Sequence, residues 1–216
     1  MRLHLPKIYP ITDTRLSGLS HSEQVARLIF GGATLIQLRD KHAAPRDFYH
    51  AAKSALSIAR EHRVRLIIND RVDVALALKA DGVHLGQSDI SADAARHLLG
   101  EDAIIGVSTH SITQAKLAST MPINYVGFGP IFKTETKENP DPVAGLDALR
   151  SVRAALGSLP LVAIGGITPT NAREVFKAGA DSVATIAGVL ADPSKIAENT
   201  RRMLAEAQDS GLFRWV

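Results

Sequence analysis

Eight short apolar runs, many of them β-branched, alternate with longer segments of helical period along this sequence of 216 residues. Strands that alternate with helices form a parallel sheet, and eight such units are the number that closes a barrel. The sequence therefore predicts an α/β fold of one (β/α)8 barrel, the TIM barrel. The predicted strands cover residues 8–12, 34–38, 65–68, 82–85, 104–107, 125–127, 161–164 and 182–186.

The apolar runs do not alternate with polar residues, which is typical of strands that helices cover on both faces. A doubly wound open sheet produces the same pattern and is the alternative fold. The length is near the lower end for a complete barrel, so we predict one domain over residues 1–216, with a core at about 8–208. The short apolar tail at 209–216 either covers the barrel base, contacts another subunit of a homo-oligomer, or is disordered.

Composition limits the classes of function. The chain has no cysteine, which excludes a disulfide framework, a thiolate zinc site and a cysteine nucleophile. Its formal charge is +3, with the basic residues dispersed rather than grouped, so nucleic-acid binding is not expected. Neither a signal-peptide core nor an apolar run long enough for a membrane span is present. We therefore expect a cytoplasmic protein.

Three turns of similar composition, at residues 31–33, 80–82 and 179–181, each follow a helical segment and lead into a strand. Glycine readily adopts the left-handed conformation that commonly ends a helix. We therefore predict a left-handed glycine cap at each of these turns.

Cationic side chains follow the second strand. Gln37, Arg39 and Lys41 are spaced by two residues, so a strand presents them on one side. A guanidinium beside an ammonium suits a phosphate or a diphosphate, since arginine offers planar bidentate donors and lysine a compact charge. A solvated strand end with a salt bridge is the alternative.

Two carboxylates, Asp70 and Asp89, follow the adjacent third and fourth strands. Mg²⁺ in proteins takes one or two carboxylates, keeps several waters and takes further oxygens from substrate phosphates. This pair predicts a magnesium site, and the alternative is that each aspartate caps the next helix. His84, inside an apolar strand, is interpreted as a supporting residue rather than a ligand. After the fifth strand, Ser108 and Ser111 supply hydroxyls, and a helix N-cap is an equally good interpretation of Ser111.

The longest connection, at residues 131–144, is rich in Thr, Glu, Lys, Pro and Asp. Its hydroxyls and cation predict a loop that closes on a phosphate, and a polar surface loop is the alternative. Glycines at 165–166 and at 188 follow the last two strands, where barrels usually bind phosphate through backbone N–H groups. Two anion sites and a metal on one rim imply two phosphorylated partners or one long diphosphate.

The order and spacing of these motifs resemble the thiamine-phosphate synthase family, and the resemblance extends from about residue 9 to residue 188. It implies a transferase that joins 4-amino-2-methyl-5-hydroxymethylpyrimidine diphosphate to 4-methyl-5-(2-phosphooxyethyl)thiazole, with Mg²⁺ as cofactor, and releases thiamine phosphate and pyrophosphate. The implied mechanism is dissociative: the diphosphate leaves first, and the thiazole nitrogen captures the pyrimidine cation. The motifs that carry the resemblance are residues 37–41, 69–71, 82–89, 106–108, 129–137 and 165–167.

The resemblance also implies a role for individual positions. The pyrimidine diphosphate is expected to contact Gln37, Leu38, Arg39, Asp40, Lys41, Asn69, Ser108 and Lys137. The metal is expected at Asp70 and Asp89, and the thiazole phosphate at Thr134, Glu135, Thr136, Gly166, Ile186 and Ala187. The implied catalytic residues are Arg39, Lys41, Ser108 and Lys137, of which the three cations stabilise the departing diphosphate together with Mg²⁺.

One departure from the family pattern and one relative of the same fold give two rival interpretations. The family commonly has Ser at the position of Ala187, which removes one hydroxyl contact to the thiazole phosphate. A barrel that binds thiamine-related phosphates without turnover, as a regulator, is therefore one rival. The other is the thiazole tautomerase, an isomerase of the same fold that carries His where this chain has Pro130. Ser88 also replaces a frequent Glu, with no consequence that follows from the sequence.

Overall fold

A computed structural model describes residues 4–134, 136 and 141–208 of the chain. It contains the eight strands that the sequence predicts, with ends that differ by one or two residues. The strands are almost entirely buried, as expected for a sheet that is covered on both faces. They are β1 Ile8–Pro10, β2 Leu35–Leu38, β3 Arg65–Asn69, β4 Gly82–Leu85, β5 Ile104–Thr109, β6 Tyr125–Phe128, β7 Leu161–Ile164 and β8 Ser182–Thr185.

The strands form one parallel sheet in the order β1-β8-β7-β6-β5-β4-β3-β2. A parallel bridge between Ile11 and Gln37 joins the two end strands. There the N–H of Thr12 donates to the carbonyl oxygen of Gln37 at 2.9 Å. The sheet is therefore a closed (β/α)8 barrel, and the doubly wound open sheet is wrong.

Helices follow the strands and surround the barrel. Local sequence explains how they begin: Ser20 and Glu23 form a capping box at the start of α2, and Pro45 occupies the first turn of α3. A short 3-10 helix at Pro193–Lys195 precedes the last α-helix. The helices are α1 Thr14–Ser17, α2 His21–Phe30, α3 Pro45–Glu61, α4 Val72–Leu78, α5 Ala92–Leu99, α6 Ile112–Ala118, α7 Gly145–Leu156, α8 Ala172–Lys177, α9 Ala187–Leu190 and α10 Ile196–Gln208.

Buried side chains form two layers. The inner layer fills the barrel and includes Tyr9, Ile67 and Tyr125. The outer, larger layer lies between the strands and the helices and includes Leu38 and Phe48. Alternate residues of each strand belong to different layers, so the position of a residue in its strand decides whether it faces the barrel interior or a helix.

The predicted glycine caps are confirmed at two turns and wrong at the third. Gly32 and Gly179 have φ values of 99° and 106°, in the left-handed region. At residues 80–82, however, Lys79 takes the left-handed position with φ 51°, and Gly82 belongs to β4. A Cβ on Gly82 would lie 1.9 Å from the carbonyl oxygen of Ile104, so this glycine allows close packing of adjacent strands.

Within the ranges given above, no helix combines the length and the apolar character that a membrane span requires. The apolar tail at 209–216 lies outside the described residues. The homo-oligomer suggested for it stays a prediction.

Candidate active site

A cavity of about 360 Å³ opens at the carboxyl ends of the strands, where barrel enzymes place their active sites. Its floor is the top of the inner layer, with Tyr9, Ile11, Val162 and Ala184 among the lining residues. Polar groups from the loops after the strands form the walls. An apolar floor with polar walls suits a small ligand that has a flat ring and charged substituents.

Most of the residues predicted from the sequence line this cavity. The lining residues among them are Gln37, Arg39, Lys41, Asn69, Asp70, Asp89, Ser108, Thr134, Thr136, Gly166, Ile186 and Ala187. Leu38 and Asp40 lie elsewhere, and Glu135 and Lys137 lie outside the described residues. The ligand contact of each residue stays a prediction.

Local geometry at the end of β2 explains why Leu38 and Asp40 do not line the cavity. Leu38 is fully buried in the outer layer, on the opposite side of the strand from Gln37. Asp40 turns back toward its own loop, where its Oδ1 accepts from the N–H groups of His42 and Ala43, both at 2.9 Å. Although burial opposes the effect, these N–H groups lower the pKa of Asp40. Asp40 therefore holds the shape of the loop that carries Arg39 and Lys41.

A buried histidine supports the same loop. The Nδ1 of His21 is 2.9 Å from the hydroxyl of Thr12, and its Nε2 is 3.4 Å from Oδ2 of Asp40. Burial lowers the pKa of His21, and the Asp40 carboxylate opposes this shift. The hydroxyl of Thr12 also accepts from the N–H of Arg39 at 3.2 Å. Nothing in the sequence indicates this arrangement, because His21 lies in a helix after β1.

The two cations at the end of β2 each face a carboxylate. Nη1 of Arg39 lies 3.4 Å from Oδ2 of Asp13, and the ammonium of Lys41 contacts Oδ2 of Asp70. Lys41 is about half exposed, with a side-chain exposure of 49%. Both cations line the cavity and are positioned to meet an anionic ligand there.

Asp70 and Asp89 do not cap helices, so the capping alternative is wrong for both. No side chain caps α4, and Ser91 caps α5 by accepting from the N–H of Ala94. Asp70 has a left-handed φ of 61°, a conformation that costs roughly 1–2 kcal/mol for most residues and less for Asp. Its N–H donates to the carbonyl oxygen of His84 at 2.9 Å, which ties this turn to β4.

The two carboxyl groups also interact with each other. Burial raises the pKa of Asp89, and the adjacent Asp70 carboxyl raises it further, although the N–H of Gly86 donates to Oδ2 of Asp89 at 2.6 Å. A divalent cation relieves the repulsion between neighbouring carboxylates, so this pair fits one. Among the described residues there is no group of three His, Asp or Glu that could hold a metal. A cation here would therefore need oxygens from waters and ligand, as Mg²⁺ typically does.

A chain of hydrogen bonds crosses the barrel beneath the cavity. The Nε2 of Gln37 donates to the hydroxyl of Tyr9 at 3.0 Å, and this hydroxyl is 3.0 Å from that of Tyr125. The hydroxyl of Tyr125 is 2.8 Å from Nδ1 of His84, and Nε2 of His84 is 2.8 Å from Oγ of Ser108. Burial lowers the pKa of His84 to about 4, so the imidazole is neutral at pH 7. His84 also lines the cavity, and its interpretation as a supporting residue stays a prediction.

The opposite wall is built from backbone. Gly165 and Gly166 have φ values of 101° and 63°, and a Cβ on Gly166 would lie 2.5 Å from the carbonyl oxygen of Lys133. Within the described part of the chain, the N–H groups of residues 165–167 have no hydrogen-bond acceptor. Thr134 and Thr136 lie on the same side, and the N–H of Thr136 donates to the hydroxyl of Thr134 at 3.4 Å. Free N–H groups beside hydroxyls suit a phosphate.

Sequence reasoning missed several residues that line the cavity or support it from below. Tyr9 and Tyr125 were part of predicted strands, where an aromatic residue indicates a core position. His110 and Asp141 also line the cavity, with Nδ1 of His110 at 3.5 Å from Oδ2 of Asp141 and 2.7 Å from the carbonyl oxygen of Gly129. The His110–Asp141 contact joins two distant loops, which spacing along the chain does not reveal.

The closed parallel barrel and the polar cavity at its carboxyl end define the class of protein, a (β/α)8-barrel enzyme. Comparison with known proteins gives the family. A family model described as thiamine monophosphate synthase matches residues 8–189. The chain therefore belongs to the thiamine monophosphate synthase family, and it is a transferase.

Relatives agree with this family over nearly the whole chain. The thiamine-phosphate synthase of Chloroflexus aurantiacus is 43% identical over 209 residues, which cover 95% of this chain and 96% of that protein. That of Koribacter versatilis is 44% identical, with 94% and 97% covered. The solved structure of thiamine phosphate pyrophosphorylase from Pyrococcus furiosus superimposes with a TM-score of 0.85 at 36% identity, covering 95% of this chain and 96% of that one.

Proposed function

We propose that this chain is a thiamine-phosphate synthase that uses Mg²⁺. It joins hydroxymethylpyrimidine diphosphate to the thiazole phosphate and releases thiamine phosphate and pyrophosphate. One observation carries the proposal: a single cavity has two regions suited to anions, with a carboxylate pair beside one of them. A reaction between a diphosphate and a monophosphate needs this arrangement.

The diphosphate is proposed to lie between the end of β2 and the carboxylate pair. Arg39 and Lys41 face the cavity there, and Asp70 and Asp89 are the residues that would hold Mg²⁺. The metal, when bound, neutralises charge on the diphosphate. Asp13 lies 3.4 Å from the Arg39 guanidinium, and Asp40 fixes the backbone of the loop that follows. The charge of Arg39 is therefore preorganised for the leaving group. Lys137 is proposed as a third cation for the same group.

The thiazole phosphate is proposed to bind the opposite wall. The N–H groups of residues 165–167, which have no acceptor among the described residues, and the hydroxyls of Thr134 and Thr136 are donors on that side. Ala187 contributes no hydroxyl, so the backbone supplies a larger share of the contacts. A dissociative reaction requires no general base, which is consistent with a cavity dominated by charge-stabilising groups.

The first experiment measures pyrophosphate release and thiamine phosphate formation together, from both phosphorylated substrates, with Mg²⁺ and with a chelator. We expect equal amounts of the two products, formed only with the metal. Binding of both substrates without product would favour the regulator. Isomerisation of the thiazole phosphate alone, unaffected by chelator, would favour the tautomerase, although Pro130 lies in the cavity where that isomerase has His.

The metal assignment is tested by Asp70→Asn, because Asn keeps the volume and tolerates the left-handed φ of this position. We expect the Mg²⁺-dependent rate to fall by about 100-fold or more, with an unchanged circular dichroism spectrum. Asp73→Asn is the matched control, since Asp73 lies on α4 nearby with 65% of its side chain exposed. Equal rates in the two variants would contradict the metal site.

A further inference from the structure

The hydrogen-bonded chain beneath the cavity has a direction that the number of its hydrogens determines. A hydroxyl donates one hydrogen and accepts up to two, and a neutral imidazole has one donor and one acceptor nitrogen. Tyr9 accepts from the amide nitrogen of Gln37, so its own hydrogen must go to a different partner. Among the described residues, that partner is the hydroxyl of Tyr125.

The remaining bonds follow in order. Tyr125 accepts from Tyr9 and therefore donates to Nδ1 of His84. The single imidazole hydrogen is then on Nε2, which donates to Oγ of Ser108. Ser108 is the last acceptor in this direction, so its own hydrogen is not used by any other member of the hydrogen-bonded chain. Since Ser108 lines the cavity, its hydrogen is available to a ligand.

The opposite direction is less stable. With Gln37 as placed, it would leave the hydroxyl hydrogen of Tyr9 without an acceptor in the barrel interior, where Tyr9 is 1% exposed. An unpaired buried donor is destabilising, because it loses its hydrogen bonds to water without replacement. The opposite direction avoids this cost only if the Gln37 amide is flipped, so that its oxygen accepts from Tyr9. In that direction the imidazole hydrogen of His84 is on Nδ1.

The histidine ring itself is held in place. It stacks on the ring of Tyr125 with centroids 5.5 Å apart and an interplanar angle of 24°. On another side it packs against Gly127, where an added Cβ would lie 3.1 Å from Cε1 of His84. Ring rotation is therefore restricted, and the two nitrogens keep their separate partners.

We propose that His84 is a positioning residue that acts through Ser108: its Nε2–H fixes the Ser108 hydroxyl as a donor into the cavity. The site then selects a substrate with a hydrogen-bond acceptor, a ring nitrogen or a phosphoryl oxygen, at that position. This role rests on the proposed function for its substrate. The direction of the chain does not, and it is a property of the protein without ligand.

The direction is tested first, by NMR of the protein with ¹⁵N-labelled histidine rings at neutral pH. The signal of His84 is identified by its loss in His84→Asn. We expect the hydrogen on Nε2 and none on Nδ1. Tyr125→Phe should weaken this preference, while Tyr49→Phe, which removes a hydroxyl outside the chain, should not. A hydrogen on Nδ1 in the unsubstituted protein would overturn the proposal, whether or not Tyr125→Phe folds.

The action through Ser108 is tested by a double-mutant cycle. An Asn amide at position 84 reaches the place of Nδ1, whereas a Gln amide reaches that of Nε2. We expect His84→Asn and Ser108→Ala each to lower kcat/KM about tenfold, the effect of losing about 1.4 kcal/mol of hydrogen bonding. The kcat/KM of the double variant should be no lower than that of the less active single variant. His84→Gln should retain more activity than His84→Asn.

Effects that multiply in the double variant would show that His84 acts independently of Ser108 and would overturn the proposal. Binding of pyrophosphate and of the complete pyrimidine diphosphate to Ser108→Ala identifies the acceptor. Weaker binding of both indicates a phosphoryl oxygen, and weaker binding of the larger ligand alone indicates a ring nitrogen. If the protein forms no thiamine phosphate, the proposed function fails, while the NMR result still decides the direction of the chain.

Discussion

The lowered pKa of the His84 imidazole makes the free energy of unfolding depend on pH. Burial lowers its pKa from 6.5 to about 4; Asp89 opposes this shift and Lys41 adds to it. Between these two pKa values the imidazole is protonated in the unfolded chain and neutral in the folded protein. The free energy of unfolding therefore decreases as the pH falls from about 6.5 toward 4.

We expect this residue to contribute a loss on the order of 2 kcal/mol between pH 7 and pH 5. Urea unfolding of the unsubstituted protein and of His84→Gln at both pH values measures it, since other titrating groups are common to the two proteins. The stability of the unsubstituted protein should fall more steeply. Parallel pH dependence in the two proteins would mean that His84 is not buried in its neutral form.

At the scale of the elements, two adjacent strands use glycine to make room for the hydrogen-bonded chain. Gly106 of β5 lies directly opposite Tyr125 of β6, and a Cβ on Gly106 would lie 2.0 Å from Cζ of that ring. Tyr125 is fully buried, so the ring has no free space to move into. Strand packing and the position of the Tyr125 hydroxyl therefore depend on the same glycine.

Gly106→Ala should destabilise the protein by about 1–3 kcal/mol, the usual cost of an overpacked core. It should also lower kcat/KM, because displacement of Tyr125 breaks its contacts with Tyr9 and His84. Gly127→Ala is the comparison on the next strand: its Cβ meets His84 at 3.1 Å, so a small shift suffices and the loss should be smaller. Thermal unfolding measures the stability of both variants. Equal stability would contradict the prediction that the Gly106 position is the more tightly packed of the two.

The elements were also what the sequence predicted best. All eight strands follow from short apolar runs, which report burial on both faces locally. The predicted cap at residues 80–82 was wrong because Gly82 is required by close packing against the neighbouring strand and not by the conformation of its own turn. Closure of the barrel rests on the contact of Ile11 with Gln37, which neither strand indicates by itself.

At the scale of the whole molecule, the parts of the site that the sequence predicted depend on local patterns, and the parts that it missed depend on contacts between distant residues. Gln37, Arg39 and Lys41 could be placed on one side because strand periodicity is local. The direction of the Asp40 side chain does not follow from strand periodicity, since it depends on the loop that this residue closes. Tyr9 and Tyr125 gave no signal, because the hydrogen bond between their hydroxyls joins residues 116 positions apart.

The proposed metal site would link metal binding, ligand binding and stability. Asp70 and Asp89 supply two carboxylates from adjacent strands, and with no third His, Asp or Glu grouped with them in the described residues, protein groups alone complete little of an octahedral shell. Mg²⁺ without ligand should therefore bind weakly and raise the melting temperature little. Pyrophosphate supplies the missing oxygens, so Mg²⁺ and pyrophosphate together should bind cooperatively.

At ligand concentrations about 100 times the dissociation constant, this linkage adds about 2.7 kcal/mol, or a rise in melting temperature of about 6 °C for a chain of this size. Thermal unfolding with Mg²⁺, with pyrophosphate plus chelator, and with both ligands measures it. Asp70→Asn should lose the increment that needs both ligands and keep the response to pyrophosphate alone, which Arg39 and Lys41 provide. A full rise with Mg²⁺ alone would mean that the protein holds the metal without substrate oxygens, and the diphosphate would then have to be placed elsewhere in the cavity.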